Sequence, residues 1–444
     1  MTSCRWWISF ALGVLVLAGG CAVHGDRLRD VRNDFFAGNL DQTGTKIDGY
    51  AKRYRGEADV LKLDRALVEL SAGRPREAER MLREVRDSFD HLSQASLAES
   101  ALVMATDDTN AAYPGEDYEK ILVRAFLALA NLMGDGGDAA AYGLQVDDIQ
   151  ERIIQTGADD KGENPKVAYK RVAFGAYLHG AIREESHTDY DDVARSRVKV
   201  VNWEPGFAPG RYDLDRAVHG HHSAQGNGVL YAFTLVGRGP YKEETVEVAS
   251  TVSLLIADRI LSATTRHTLP PTIAPIKVPK VVVSINGIRD IAVGVDGRAA
   301  GTTATITDVG QLAVDQYQAI YPHILARAIV RRIAKKGVLY AGKEAAKVTN
   351  NSWLNLLMDV GGVAWEATEQ ADTRCWGLLP NQIQVLRLEL PAGQHRISLH
   401  PNVSFGATGP DAETTVNIAD GRNTYLLATF GDGRLIGQIS TSQR

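Results

Sequence analysis

Cysteine is nearly absent. Cys4, Cys21 and Cys375 are the three in 444 residues, and two of them fall in the first 21 positions. The body of the chain therefore holds only Cys375, which excludes an intramolecular disulfide there and leaves stability to packing. A surplus of one charge is also lacking. The formal net charge is −5, which argues against a general nucleic-acid binder. After the N-terminal stretch no apolar run approaches membrane-spanning length. No G-x-S-x-G, H-E-x-x-H or P-loop sequence occurs, and no glycine-rich stretch fits a dinucleotide fingerprint. The commonest local signatures of catalysis and nucleotide binding are thus missing, and no cofactor is expected.

What the chain does have is a sharp N-terminal signature. Trp6 to Ala18 is uninterrupted by charge, but a transmembrane helix needs about 20 apolar residues. A secretory signal has a basic start, a short apolar centre and a small-residue cleavage site. Arg5 supplies the charge, Ala18-Gly19-Gly20 the small residues, and Cys21 follows at once. This resembles a bacterial lipoprotein signal, with Ala18 where leucine is more usual. The pattern makes residues 1–20 a signal peptide and Cys21 the lipidated (palmitate-bearing) first residue, held in the membrane by several acyl chains. Ala22 follows in place of the aspartate that commonly retains lipoproteins in the inner membrane. That favours the outer membrane, facing the periplasm.

The expected fold class is α+β with several domains. Residues 21–205 read as a TPR-like helical repeat module. Ala37-Gly38 and Ala72-Gly73 mark turns 35 residues apart, near the 34-residue tetratricopeptide period. Around the second turn Leu67, Leu70, Met81 and Leu82 recur at helical spacing, and Pro75 suits a first helical turn. Repeat units bury their stripes on their neighbours, so this module is expected to fold without the rest. Residues 206–228, rich in glycine, proline and histidine, read as a linker. Residues 229–370 read as mixed α/β: strands near 229–238 and 281–307, and helices near 246–263, 308–336 and 352–370. Asn286-Gly287 and Asp296-Gly297 signal turns, the latter in the hairpin sequence "GVDGRAAG". Residues 371–444 read as a small β-sandwich, with Leu386, Leu388 and Leu390 alternating against Val385, Arg387 and Glu389.

Several segments together, "YPGEDYEKILVRAFLALANLMGD", "NPKVAYKRVAFGAYLHG", "VLYAFTLVGRGPYKEE", "YPHILARAIVRRIAKKG" and "ADTRCWGLLPNQIQVLRLELPAGQH", resemble an uncharacterised family of bacterial lipoproteins with TPR-like N-terminal halves. The "ADTRCW…LLP" segment is the most distinctive. The tract from Gly206 to Gly228 and the proline-rich "LPPTIAPIKVPK" depart from the pattern. The resemblance implies an envelope lipoprotein and transfers no catalytic residue.

Each chemical candidate has a plainer alternative. His219, His221 and His222 are metal-ligand types, but without further ligands at a recognised spacing they read as a solvated loop. Cys375 with His323 or His395 as base would be a nucleophile if a cation stabilised its thiolate. Alternatively, "DTRCWGLLP" is a structural corner in which Asp372 and Arg374 pair and Trp376 packs. "TDYDDVA" lacks the calcium-loop pattern and reads as a solvated helix start. Around residue 330, Leu325, Ile329 and Ile333 face inward, while Arg327, Arg331 and Lys335, with Arg332 and Lys336, form a basic stripe suited to lipid headgroups or an acidic partner.

The expectation is therefore a lipid-anchored envelope scaffold or assembly factor, not an enzyme, whose partners are the membrane (through Cys21) and envelope proteins. One alternative is a non-catalytic cell-wall or polysaccharide binder using Trp376, Phe405 and Tyr425, although all three read as core. The other is an envelope hydrolase.

Overall fold

The computed structural model describes residues 23–98, 112–158, 162–264, 269, 274–345 and 370–442. Helices come first: α1 (His24–Arg27), α2 (Arg29–Phe36), α3 (Leu40–Arg53), α4 (Ala58–Ser71), α5 (Pro75–Ala98), α6 (Asp117–Met133), α7 (Ala139–Gln155), α8 (Phe174–Glu184), α9 (Tyr190–Trp203) and α10 (Pro209–Val218). From α2 onward each packs on its chain neighbour. The two Ala-Gly turns close alike. Gly38 and Gly73 take φ of +88° and +73°. Asn39 N–H then returns to the Asp34 carbonyl, and Arg74 N–H to that of Glu69, both at 2.9 Å. These are Schellman closures, which favour glycine because its φ is positive. Helix α6 is buried on almost every side from Tyr118 to Met133, as an all-round apolar helix must be.

Strands follow: β1 (Asn227–Arg238), β2 (Tyr241–Glu247), β3 (Ile276–Val282), β4 (Ile288–Val295), β5 (Arg298–Thr302), β6 (Ala304–Asp308), β7 (Pro380–Pro391), β8 (Gly393–Val403), β9 (Ala412–Ile418), β10 (Asn423–Gly431) and β11 (Arg434–Thr441), with helices α11 (Thr251–Thr264) and α12 (Val309–Ala345) between them. A five-stranded sheet has the order β11-β10-β1-β7-β6, and a four-stranded one the order β5-β4-β8-β9. β1 and β10 are parallel; the other neighbours are antiparallel. β2 and β3 form a separate ribbon.

The five-stranded sheet lies between two layers. Val229, Tyr231, Phe233, Leu235, Tyr425 and Leu427 share a core with the helices. The alternate residues Leu230, Ala232, Val236, Leu426, Ala428 and Phe430 share another with Ile291 and Val293 of β4, and Ile397 and Leu399 of β8. Burial on both faces explains why "VLYAFTLV" carries no polar alternation beyond one threonine. Each large side chain so buried contributes about 1.5–3 kcal/mol. A third core joins α11, the ribbon and α12 through Leu261, Val278, Leu325 and Ile329.

The chain is thus mixed α+β, and its hydrogen bonding crosses the expected boundaries. β1, from the region before residue 371, sits between β7 and β10, so residues 371–444 do not pair among themselves alone. The expected linker 206–228 contains α10, started by Pro209 at its first turn, where the missing N–H costs nothing. The helices share their core with the sheet, which differs from a module that buries its apolar stripes only on itself. Asn286-Gly287 joins strands of different sheets, whereas Asp296-Gly297, with φ of 52° and 78°, closes the β4–β5 hairpin. The expected helix at 352–370 lies outside the described residues but for its last position.

Candidate functional site

The segment Ala371–Leu379 has no regular structure, yet most of it is buried. Its backbone groups must then find partners other than water, and the helices supply them. Asp64 Oδ1 on α4 accepts the N–H of Leu378 at 2.9 Å. Glu119 Oε1 on α6 accepts that of Trp376 at 2.7 Å. Arg32 on α2 donates to the carbonyls of Gly377 and Gly239. Glu244 on β2 accepts the N–H of Ala371 at 2.8 Å. Within the segment Arg374 grips Asp372 through two nitrogens at 2.9 and 2.7 Å and donates to the Gly56 carbonyl at 3.0 Å. The pairing expected of Asp372 and Arg374 is present.

Glu119 also closes the start of α6. It accepts from the Glu116 N–H at 3.2 Å, the return arm of a capping box, and from the Tyr113 hydroxyl at 2.6 Å. Burial, then the nearby Glu116, push its carboxyl up to about 7. Burial pushes Asp64 up to about 8. Lys242 pairs with Glu116.

Raised carboxyls near a cysteine are one signature of a reactive site. Here accessibility removes it. Asp64 and Glu119 are 0 % exposed and Cys375 is 3 % exposed. Burial, reinforced by Glu119, pushes the Cys375 thiol up to about 12 against Lys242 and Arg32, which disfavours the thiolate that a nucleophile needs. His395 lies on β8 in the outer sheet and pairs with Asp296 at 2.7 Å. A surface cavity of about 340 Å³ lies at Gly73–Glu77 and Met133–Gly134, and its lining includes none of these carboxyls.

A second polar node ties helices to sheet. Glu184 at the end of α8 accepts from Arg197 (2.9 Å) on α9, Arg387 (2.9 Å) on β7 and the Tyr231 hydroxyl (3.0 Å) on β1. Burial pushes its carboxyl up, but Arg197, Arg387 and Arg216 together hold it below the usual range. Nothing in the residue spacing announced this node. The arginine inside an apolar alternation at Leu386-Arg387-Leu388 was its one available signal.

The histidine tract divides. His219 and His221 are exposed, as a solvated loop would have them, but His222 is 2 % exposed. It bonds Asn423 at 3.0 Å and Ser223 at 2.9 Å, because Arg387 draws its carbonyl inward. Among the described residues no three His, Cys, Asp or Glu side chains are grouped to hold a metal. In "TDYDDVA", Asp192 is not merely solvated: it accepts from His179 at 2.8 Å. Trp376 and Tyr425 are buried, but Phe405 is 55 % exposed, which corrects its assignment to the core. Leu325 and Ile329 are buried, Arg327 is exposed and Arg331 half-buried. The side chain of Lys335, and the whole of Cys21, lie outside the described residues. Among the described residues no helix is long and apolar enough to cross a membrane.

No family model, curated protein or solved structure matches the chain.

Proposed function

We propose that this chain is a lipid-anchored protein of the bacterial envelope that works as a scaffold or assembly factor, binding protein partners without catalysis. The observation that carries the reading is the apolar run from Trp6 to Ala18 ending at Gly19-Gly20-Cys21, with acyl chains on Cys21 as the membrane contact and the outer membrane, periplasmic side, as the place. The resemblance to an uncharacterised lipoprotein family agrees with it. We read the helices as TPR-like and the two face-packed sheets as a sandwich.

Two features support binding over chemistry. Asp64, Glu119 and Cys375, which burial raises, are sealed in the interior around Ala371–Leu379. The surface instead carries apolar side chains close in sequence, Val246, Val248, Val252 and Leu255, each more than half exposed. Clustered exposed apolar residues mark interaction sites. The polysaccharide-binding alternative retains Phe405 as an exposed aromatic.

Crosslinking with mass spectrometry on intact envelopes tests the reading. A reproducible protein partner, lost in a Val252→Glu/Leu255→Glu variant that remains folded, is the expected result. Turnover of cell-wall material by the purified chain would replace it with the hydrolase reading.

A further inference from the structure

The folded body starts almost at the proposed lipid. His24 is 4 % exposed and its Nδ1 bonds Glu57 at 2.7 Å. Gly25 N–H donates to Thr373 at 3.1 Å. Val23 lies two residues beyond Cys21, so even a fully extended chain separates them by only about 7 Å. An acylated cysteine sits at the level of the headgroups, and a tether this short leaves the body little room to stand away.

The surface at this point is basic. The Arg27 guanidinium lies 4.3 Å from the centre of the Tyr54 ring and that of Arg53 lies 5.3 Å from it, so the entry of the chain and the end of α3 meet on one aromatic. Lys52, Arg53 and Arg55 are exposed, and among the described residues none has a carboxylate within ion-pair distance. The acidic groups nearby are engaged: Asp26 with Arg29, Glu57 with His24 and Arg27, Asp48 with Arg65, and Asp59 with Ser88. Asp30 remains exposed. Arg80 and Arg83 of α5, by contrast, are paired along their own helix.

We infer that the surface formed by Lys52, Arg53 and Arg55 lies against the anionic headgroups of the bilayer that holds Cys21. This rests on the reading of Cys21 as the lipidated residue. Basic side chains near an anionic surface are drawn to it only modestly, so the three together orient the body without adding an anchor. The opposite pole is then defined. Arg238 at the end of β1 bonds Asn33 of α2 at 2.8 Å, placing that end of the strand beside the N-terminal helices. The other end of its 12 residues is about 35 Å away, and Gln225 just before it is exposed, which makes it the distant position for comparison.

The test uses the full chain purified from membranes, with acylation of Cys21 read by intact mass. It is reconstituted in vesicles of phosphatidylethanolamine and phosphatidylglycerol carrying a headgroup-attached quencher. A fluorophore on Arg55→Cys should be strongly quenched and one on Gln225→Cys not. A long Gly/Ser insertion between Ala22 and Val23 should leave quenching at position 55 dependent on phosphatidylglycerol, and Lys52→Glu/Arg53→Glu in that longer chain should abolish it. An acylated chain with equal quenching at the two positions overturns the orientation and leaves the anchor standing. A chain without acylation overturns both.

Discussion

A carboxyl oxygen of Asp64 accepts the backbone N–H of Leu378 at 2.9 Å, joining positions 314 apart in the chain. With Glu119 and Trp376 it fixes an irregular segment of the C-terminal half inside the helical half.

Asp64 gives stability a definite pH dependence. Its folded carboxyl is pushed from 3.8 up to about 8 by burial. Between those values the unfolded chain releases a proton that the folded chain keeps, so this group's contribution falls as pH rises from about 4 to 8 and is constant beyond. Asp64→Asn keeps an acceptor for Leu378 and should remove that decline. Denaturant titrations at pH 5 and pH 8 check it: the wild-type difference should shrink in the variant, and an unchanged difference would contradict the assignment.

Glu184 should be among the costliest single polar residues to remove. Glu184→Gln leaves Arg197 and Arg387 facing each other in the interior, and breaking a buried pair costs about 3–5 kcal/mol. Tyr231→Phe removes the hydroxyl's bond to Glu184 and the longer ones it accepts from Arg197 and Arg387 at 3.3 Å, but leaves the ion pairs of Glu184 in place, so its loss should be the smaller. Equilibrium unfolding of the two variants should give that ranking. Equal, small losses would mean the node is not load-sharing.

The helices and the sheets should unfold together. Phe174 of α8 meets Phe233 of β1 at 5.8 Å, and Phe126 of α6 meets Trp376 at 5.2 Å, ring centre to ring centre. A fragment of residues 23–218 therefore exposes the face that the sheet covers. It should lack a cooperative thermal transition in calorimetry, while the whole chain shows one. A fragment that melts cooperatively on its own would restore the independent helical module expected from the repeats.

What was legible in the residues follows the range of the forces that decide it. Local rules reached the Ala-Gly turns, the hairpin at Asp296-Gly297, the stripe at Leu67, Leu70 and Leu82, and the pairing of Asp372 with Arg374, because each is settled within a few residues. The parallel pairing of β1 with β10, Val229 opposite Asn423, is not local, and no spacing announces it. The unbroken apolar run at 229–236 was the available clue, since it requires two covered faces. The burial of His222 beside two exposed histidines is not local either, because its partners, Asn423 and Arg387, are far away in sequence. Glu116 and Glu119, ahead of an apolar run, carry the spacing of the capping box that starts α6.

Cys375 should be silent to thiol reagents in the native state. In a chain beginning at Ala22 it is the only thiol, 3 % exposed and protonated at neutral pH. Mass spectrometry after incubation with a maleimide should find no label at pH 7.5 and one label in denaturant. Rapid native labelling would return it to the list of reactive groups.

The central claim is the anchor, and the mass of the N-terminal peptide from membrane-extracted protein tests it most directly. The account predicts a peptide that begins at Cys21 and carries a diacylglyceryl group, with the protein moving to the soluble fraction in Cys21→Ala. A peptide that begins elsewhere, or an unmodified Cys21 in a protein that still sediments with membranes, would contradict it.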